Sequence, residues 1–389
     1  MADDAREFEV IVYGATGYTG RLVAQHLLKT YGATGDLAWA MAGRSQAKLE
    51  EVRALIGAPG SLPLVVADAN DPASLDAMVA RAKVIITTVG PYQLYGDALV
   101  AACAAAGTDY VDLTGESNWI AAKIAQHEAS AKASGARIVF SCGFDSIPFD
   151  LGVLFVEKRA AEVFGAPAPR VRGRVRGIRG GLSGGTMASG MATMAAVQRD
   201  PSIGALLANP FALTPGFQGP QQPEDKTYEC AVTGSWVAPF MMSAINTKAV
   251  HRSNFLMAHP WGRDLQYDEM MMIDGPPKDG AAPDPGFDMG APVAPGDGPS
   301  QAEREAGFYD ILFIAQAPDG RTVRAAVKGD MDPGYGSTSK ILGESAVCLA
   351  RDVPHAVTPG GCWTSASAMG DALIKRLGAN AGVTFTVES

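Results

Sequence analysis

One short stretch near the start of the chain restricts its fold more than any other. The apolar run Phe8-Glu9-Val10-Ile11-Val12-Tyr13 drives into Gly14-Ala15-Thr16-Gly17-Tyr18-Thr19-Gly20, and an amphipathic segment follows over residues 21–31. That order reads as strand, glycine turn, helix. A turn so tight needs residues without a Cβ, so that backbone can approach a pyrophosphate while the first N–H groups of the helix point at it. Residues Gly14, Ala15, Thr16, Gly17, Tyr18, Thr19 and Gly20 are therefore expected to hold a dinucleotide.

The choice of nucleotide follows from the end of the next strand, residues 37–42. An NAD site would place Asp or Glu there for the ribose 2′-hydroxyl. This chain has Gly43-Arg44-Ser45 instead. A guanidinium fork and a hydroxyl, Arg44 and Ser45, suit a 2′-phosphate, so NADP is expected. A third strand, residues 62–67, ends in Asp68-Ala69-Asn70, where adenine contacts usually fall; capping of the helix that opens at Pro72 is the competing role for Asp68.

Strand-like and helix-like segments alternate through the first 145 residues, with further strands at 84–89, 110–113 and 137–141. This is the pattern of a doubly wound parallel sheet, an α/β fold of Rossmann type. After Asp150 the character changes. Segments 169–178, 308–315 and 321–327 read as strands of a second, α+β sheet, and a helical pattern after Gly334-Tyr335-Gly336 is expected to return to the first domain. The organisation expected is a nucleotide domain at 1–148, a substrate domain at 149–333 and a returning segment at 334–389. Residues 275–301 are rich in proline and glycine and too poor in large apolar side chains to form a core, so they read as a loop: an inert insertion or a lid.

With 389 residues, 47% of them apolar, the chain has enough material for two substantial cores. A net charge of −9 disfavours a nucleic-acid partner. The five cysteines form no Cys-x-x-Cys pair, which suggests neither a metal site nor a disulfide framework and fits a reducing cytoplasm. The acidic start lacks the basic-then-apolar order of a signal peptide. The apolar stretch 236–245 contains Pro239 and is half the length of a spanning helix, which needs about 20 residues. Together with Met270-Met271-Met272 it suits a greasy pocket or a peripheral membrane contact, although buried core is the commoner use.

In an open parallel sheet the ligand lies at the carboxyl ends of the strands. Three polar clusters fall there. Thr88-Val89-Gly90-Pro91 are expected beside the cofactor, with Tyr92 behind them as the first candidate proton donor and Tyr335 as the second. Asp112 and Glu116 from the second cluster, and Cys142, Asp145 and Ser146 from the third, are expected to touch substrate; turn and helix capping is the alternative for Asp112 and for its neighbour Ser117. No tyrosine has lysine four residues on, and Tyr335 and Lys340 are five apart, which excludes the Tyr-x-x-x-Lys pair of short-chain reductases. The alternating Arg170, Arg172, Arg174 and Arg176 share one strand face. They fit either a phosphate-bearing carrier or a solvated face paired with local carboxylates, and the paired face is the favoured reading.

The glycine turn, Ala42-Gly43-Arg44-Ser45, Val89-Gly90-Pro91-Tyr92, Asp112-Leu113-Thr114-Gly115-Glu116 and above all Gly143-Phe144-Asp145-Ser146-Ile147-Pro148-Phe149-Asp150-Leu151-Gly152 resemble the saccharopine dehydrogenase-like oxidoreductases. Within them the chain is most similar to the trans-acting enoyl reductases. The resemblance implies an NADP-binding Rossmann domain, a substrate domain, and reduction of a carbon–carbon double bond in a lipid-type substrate, enoyl or isoprenoid, free or on a carrier. Two alternatives remain at this point: saccharopine-type chemistry at a C–N bond of an amino acid, and a scaffold or sensor that binds NADP without turnover. A homo-oligomer is compatible with all three.

Overall fold

Alternation of apolar side chains along the first strand decides how its layer is built. The computed structural model describes residues 6–180, 184–276 and 297–388. In β1 (Phe8–Tyr13), Val10 and Val12 pack into one core, whereas Ile11 and Tyr13 pack into another on the opposite face. A strand buried on both faces must lie inside a sheet covered by helices on both sides. β2 (Trp39–Gly43), β3 (Leu64–Val66), β4 (Ala82–Thr87), β5 (Asp109–Val111) and β6 (Arg137–Val139) join it, all parallel. The order β6-β5-β4-β1-β2-β3 leaves a switch point between β1 and β4, where crossovers diverge and a crevice opens at the carboxyl ends.

The crossovers are α1 (Tyr18–Tyr31), α2 (Gln46–Leu55), α3 (Pro72–Val79), the short α4 (Tyr92–Tyr95), α5 (Asp97–Ala106) and α6 (Ser117–Ser134). Each aliphatic side chain that they and the strands bury fully contributes about 1.5–3 kcal/mol. From β6 the chain enters α7 (Ile147–Phe164), whose buried face links the first core to a second sheet. That sheet holds β7 (Arg170–Arg179), the hairpin of β8 (Tyr228–Cys230) and β9 (Ser235–Pro239), β10 (Gln266–Ile273), and the hairpin of β11 (Phe308–Gln316) and β12 (Thr322–Gly329). β10 runs parallel to β7; the other pairings are antiparallel. Between these strands lie α8 (Gly184–Arg199), α9 (Ser202–Ala208), α10 (Ser243–Leu256) and the single turn α11 (Gln301–Glu305).

α12 (Thr338–Arg351) then returns to the first layer. It packs beside α1, and the buried Glu344 carboxylate accepts from Tyr31 Oη, lies 2.8 Å from His26 Nε2, and meets Arg376 of α14 (Gly370–Asn380) at 3.2 Å. Residues Gly361–Trp363 form β13, a parallel edge strand on β6, followed by the short α13 (Ser365–Ala368). The apolar stretch 236–245 divides between β9 and the start of α10, and Met270 and Met271 are buried. The last strand, β14 (Val383–Glu388), pairs with β12. Residues 277–296 of the proline- and glycine-rich stretch, and with them the lid reading, lie outside the described residues. Among the described residues no helix is long and apolar enough to cross a membrane.

Candidate functional site

The glycine turn has the geometry of a cradle. Gly14 sits at φ +90°, in the left-handed region, and a Cβ there would stand 2.7 Å from Thr88 Oγ1 and 2.8 Å from Val89. A Cβ on Gly20 would lie 2.2 Å from the Gly14 carbonyl oxygen, so only glycine lets α1 approach β1 this closely. Gly17 occupies the N-cap of α1 and offers no side-chain cap to the helix's first N–H groups. Backbone donors at the positive end of a helix, in a space that any side chain would fill, fit a pyrophosphate.

On either side of the cradle the expected cofactor residues take definite places. Thr88 donates through its N–H to Tyr13 O and through Oγ1 to Gly14 O, which ties the end of β4 to the turn. Val89 is partly buried, Gly90 is exposed, and a cis peptide joins Gly90 to Pro91. Arg44 is exposed at the end of β2; Ser45 caps α2, its Oγ accepting from Lys48 N at 3.4 Å. Asp68 Oδ1 accepts from Asn70 N at 2.9 Å, turning that carboxylate back on its own loop. Asp71, not Asp68, caps α3. Tyr13 stands close to both Asp68 and Arg44, and burial lifts its phenol to about 12. These residues fit NADP, with Arg44 the cation available to a 2′-phosphate.

Tyr18, the aromatic of the turn, reaches the second half of the chain. Its ring meets Tyr335 edge-on at 5.2 Å, and the guanidinium carbons of Arg21 and Arg304 lie 5.6 and 5.8 Å from its centroid. Tyr335 is buried, and its hydroxyl lies 3.0 Å from Thr186 Oγ1 of α8. Asp332 orders the turn before α12 by accepting from Tyr335 N and Gly336 N.

Tyr92 sits in the wall of the crevice. Its hydroxyl donates to Thr87 O at 3.0 Å and accepts from Leu113 N at 3.4 Å, and burial holds the phenol well above its ordinary range. Its single proton is committed to a backbone carbonyl. The carboxylates of the β5 loop are committed too. Asp112 Oδ1 accepts from Thr114 N and Ser141 N, and Oδ2 from Tyr110 Oη. Glu116 accepts from Tyr92 N at 2.9 Å and Gln93 N at 2.8 Å, capping α4 from across the crevice wall. Cys142 is buried, with Sγ 3.6 Å from Val139 O, and burial raises its thiol well above the usual range. Glu116 thus caps a helix, α4, that lies 24 positions earlier in the chain.

Asp145 and Ser146 differ from these. Every residue in 136–154 is buried except Asp145, which is half-buried in the loop after β6. Its neighbours are pinned inward: Gly143 packs on Leu113 and Thr338, and Phe144 N donates to Thr338 Oγ1 at 2.9 Å. Ser146 Oγ is buried with no hydrogen-bond partner among the described residues. Across the crevice, Ile245 of α10 stands where a Cβ on Gly115 would be, 2.8 Å away. The arginine stripe lies elsewhere and is paired. Arg170 and Arg174 meet Asp268, Arg176 meets Asp310 and Glu388, and Arg172 donates to Gln316.

Comparison with known proteins agrees with this geometry. Residues 10–139 match the saccharopine dehydrogenase NADP-binding domain. A putative trans-acting enoyl reductase of Mycobacterium tuberculosis is 39% identical over 99% of this chain and 98% of its own. A trans-acting enoyl reductase of Mycobacterium ulcerans is 37% identical over 97% of each. Apo saccharopine dehydrogenase (L-Glu forming) from Saccharomyces cerevisiae superposes with a TM-score of 0.56 at 13% identity, covering 98% of this chain and all of that one, which shows a shared fold. The chain is an NADP-dependent oxidoreductase, and it belongs to the saccharopine dehydrogenase-like family, in the group of the trans-acting enoyl reductases.

Proposed function

We propose that this protein uses NADPH to reduce a carbon–carbon double bond in a lipid-type substrate, an enoyl or isoprenoid chain. The observation that carries the reading is the crevice itself. The glycine cradle and Arg44 lie on one side of the switch point, the loops after β4, β5 and β6 line the edge, and α8 and α10 approach from the second sheet. Relatives named as enoyl reductases align with the chain from end to end, which supports double-bond reduction over chemistry at a C–N bond.

Residues 14–20, Arg44, Ser45, Asp68 and Thr88–Pro91 hold the nucleotide in this reading. Bound NADPH supplies a hydride to the β-carbon of the activated alkene. The chain's own residues orient the alkene and exclude water, with Asp145 and Ser146 on the substrate side and Tyr335 fixing the packing of α8 against the turn. The lining favours apolar chains: Ile245 is one wall, and the partly buried Val89 another.

Two measurements test the proposal. Arg44→Ala removes one charge-assisted contact, about 1.5–3 kcal/mol, so NADPH affinity should fall roughly ten- to hundredfold while NADH affinity holds. Equal losses for both nucleotides would remove the case for Arg44 as the phosphate reader. Stopped-flow loss of nicotinamide absorbance with long-chain α,β-unsaturated N-acetylcysteamine thioesters should show turnover. NADPH consumption only with an amino acid and a keto acid would assign the protein to C–N chemistry, and tight nucleotide binding with no consumption at all would make it a sensor.

A further inference from the structure

Double-bond reduction needs a proton at the α-carbon as well as a hydride at the β-carbon. The groups at the carboxyl edge of the first sheet can be sorted by whether their protons and lone pairs are free. Tyr92 gives its proton to Thr87 O. Asp112 is closed by three donors, and Glu116 by two backbone N–H groups. The Tyr335 hydroxyl is paired with Thr186. The Cys142 thiol is buried behind β6. Asp145 remains, carried at the N-terminal entry of α7 by a segment that is otherwise entirely buried, and beside it stands Ser146 Oγ, with no partner among the described residues.

We propose that Asp145 is the proton donor of the reductase, delivering its carboxyl proton to the α-carbon. This rests on the double-bond reading above. As a C–H bond forms at the β-carbon, the π electron pair of the alkene moves to the α-carbon and takes the proton from Asp145. The O–H bond of the carboxyl breaks, the carboxylate is left behind, and it regains a proton from water before the next turnover. NADPH is the reductant and the alkene is reduced, so hydride and proton together account for both hydrogens added.

The local environment suits a donor. Burial alone raises the Asp145 carboxyl, to about 6, with no charged neighbour contributing. The carboxylates facing the same edge from the adjoining β5 loop, Asp112 and Glu116, keep their own donors. An acid with this affinity retains a useful protonated fraction near neutrality and still transfers readily. Asp145 and Ser146 also lie within the stretch whose backbone is locked by Thr338, so the carboxyl is held at the rim by a rigid support.

The experiment compares wild type, Asp145→Asn and Asp145→Glu in two assays. With NADPH and a long-chain α,β-unsaturated N-acetylcysteamine thioester, Asp145→Asn should lower kcat about 100-fold or more. NADPH affinity should stay within about twofold, and Asp145→Glu should recover part of the rate. Wild-type kcat should fall as pH rises above 6, and the Asn variant should lack that limb. Burial lifts Asp150 to about 6 as well, so infrared titration of the protein without substrate should show carboxyl absorption titrating near 6 from both acids, and Asp145→Asn should remove one contribution and leave that of Asp150. An Asn variant that keeps more than a tenth of kcat, or an unchanged infrared titration, overturns the assignment. Failure of the wild type to oxidise NADPH with any such thioester refutes the double-bond reading instead, and the infrared arm still decides whether Asp145 is a titrating acid.

Discussion

Two neighbouring loops at one sheet edge carry carboxylates of the same type and treat them in opposite ways. The loop after β5 closes its acids into the fold: Asp112 bridges to the loop after β6 through Ser141 N, and Glu116 reaches back to cap α4. The loop after β6 leaves Asp145 half-buried, with no hydrogen-bond partner among the described residues. The difference shows that place in the topology nominates a functional residue but does not select it. Selection depends on which hydrogen-bond capacity remains after the edge has been assembled.

The comparison breaks most visibly at Asp112. Removal of the carboxylate in Asp112→Ala leaves Thr114 N, Ser141 N and Tyr110 Oη without their buried acceptor, and each unsatisfied group costs about 1–3 kcal/mol. Chemical denaturation should show a loss of about 3 kcal/mol or more, with nucleotide binding impaired because the ends of β5 and β6 separate. A loss below about 1 kcal/mol would mean that water replaces the carboxylate easily and that the β5 loop is not the structural member of the pair. Asp112→Asn is the sharper control, since its Oδ1 still accepts both backbone N–H groups. Burial raises Asp112 to about 7, so its ionisation opposes folding. Its stabilisation is complete below the unfolded value near 4 and is lost as pH rises through about 7. The Asn variant should lack that decline, which denaturation at pH 5 and pH 8 measures.

Glu116 comes next. Glu116→Ala uncaps α4, at a cost of about 1–2 kcal/mol by analogy with helix caps. Because α4 begins directly after Gly90-Pro91, the loop beside the cofactor should loosen as well. NADPH affinity should drop severalfold by calorimetry while the alkaline limb of the rate profile stays in place. A shift of that limb would make Glu116 part of the proton path and erase the contrast between the two loops.

Legibility in sequence followed the range of the forces involved. The glycine turn was readable because its requirement is local: Gly14 and Gly20 exist to bring α1 and β4 against the end of β1. The alternation of strands and helices through residue 145 was readable because each parallel strand is apolar on both faces. β13 was not, since its three residues carry no apolar run and become a strand only by pairing with β6. The arginine stripe showed its periodicity, but its partners Asp268, Asp310 and Glu388 come from three other strands. Asp112 and Asp145 look alike on paper. What separates them is Tyr110, Thr114 and Ser141 converging on the first, while among the described residues no donor reaches the second. Ser146 stands next to Asp145 in sequence, but that its Oγ is buried with no partner among the described residues shows only in three dimensions.

The smallest expected effect is on the stability of Asp145 variants, and it is the one that separates the loops most cleanly. Among the described residues Asp145 has no hydrogen-bond partner, so Asp145→Asn should change the free energy of unfolding by less than about 0.5 kcal/mol at pH 5. The sign at higher pH follows from burial, which raises the carboxyl to about 6 in the folded chain. A raised acid contributes its stabilisation below the unfolded value near 4 and loses it as pH climbs through 6. Wild type should therefore weaken relative to Asp145→Asn between pH 5 and pH 7, and the variant should be the equal of wild type or slightly the more stable at pH 7. Denaturant melts at the two pH values measure this. A variant clearly less stable than wild type at pH 7 would reveal an ionised carboxylate gripped by the fold, and Asp145 would then belong with Asp112 as a structural acid.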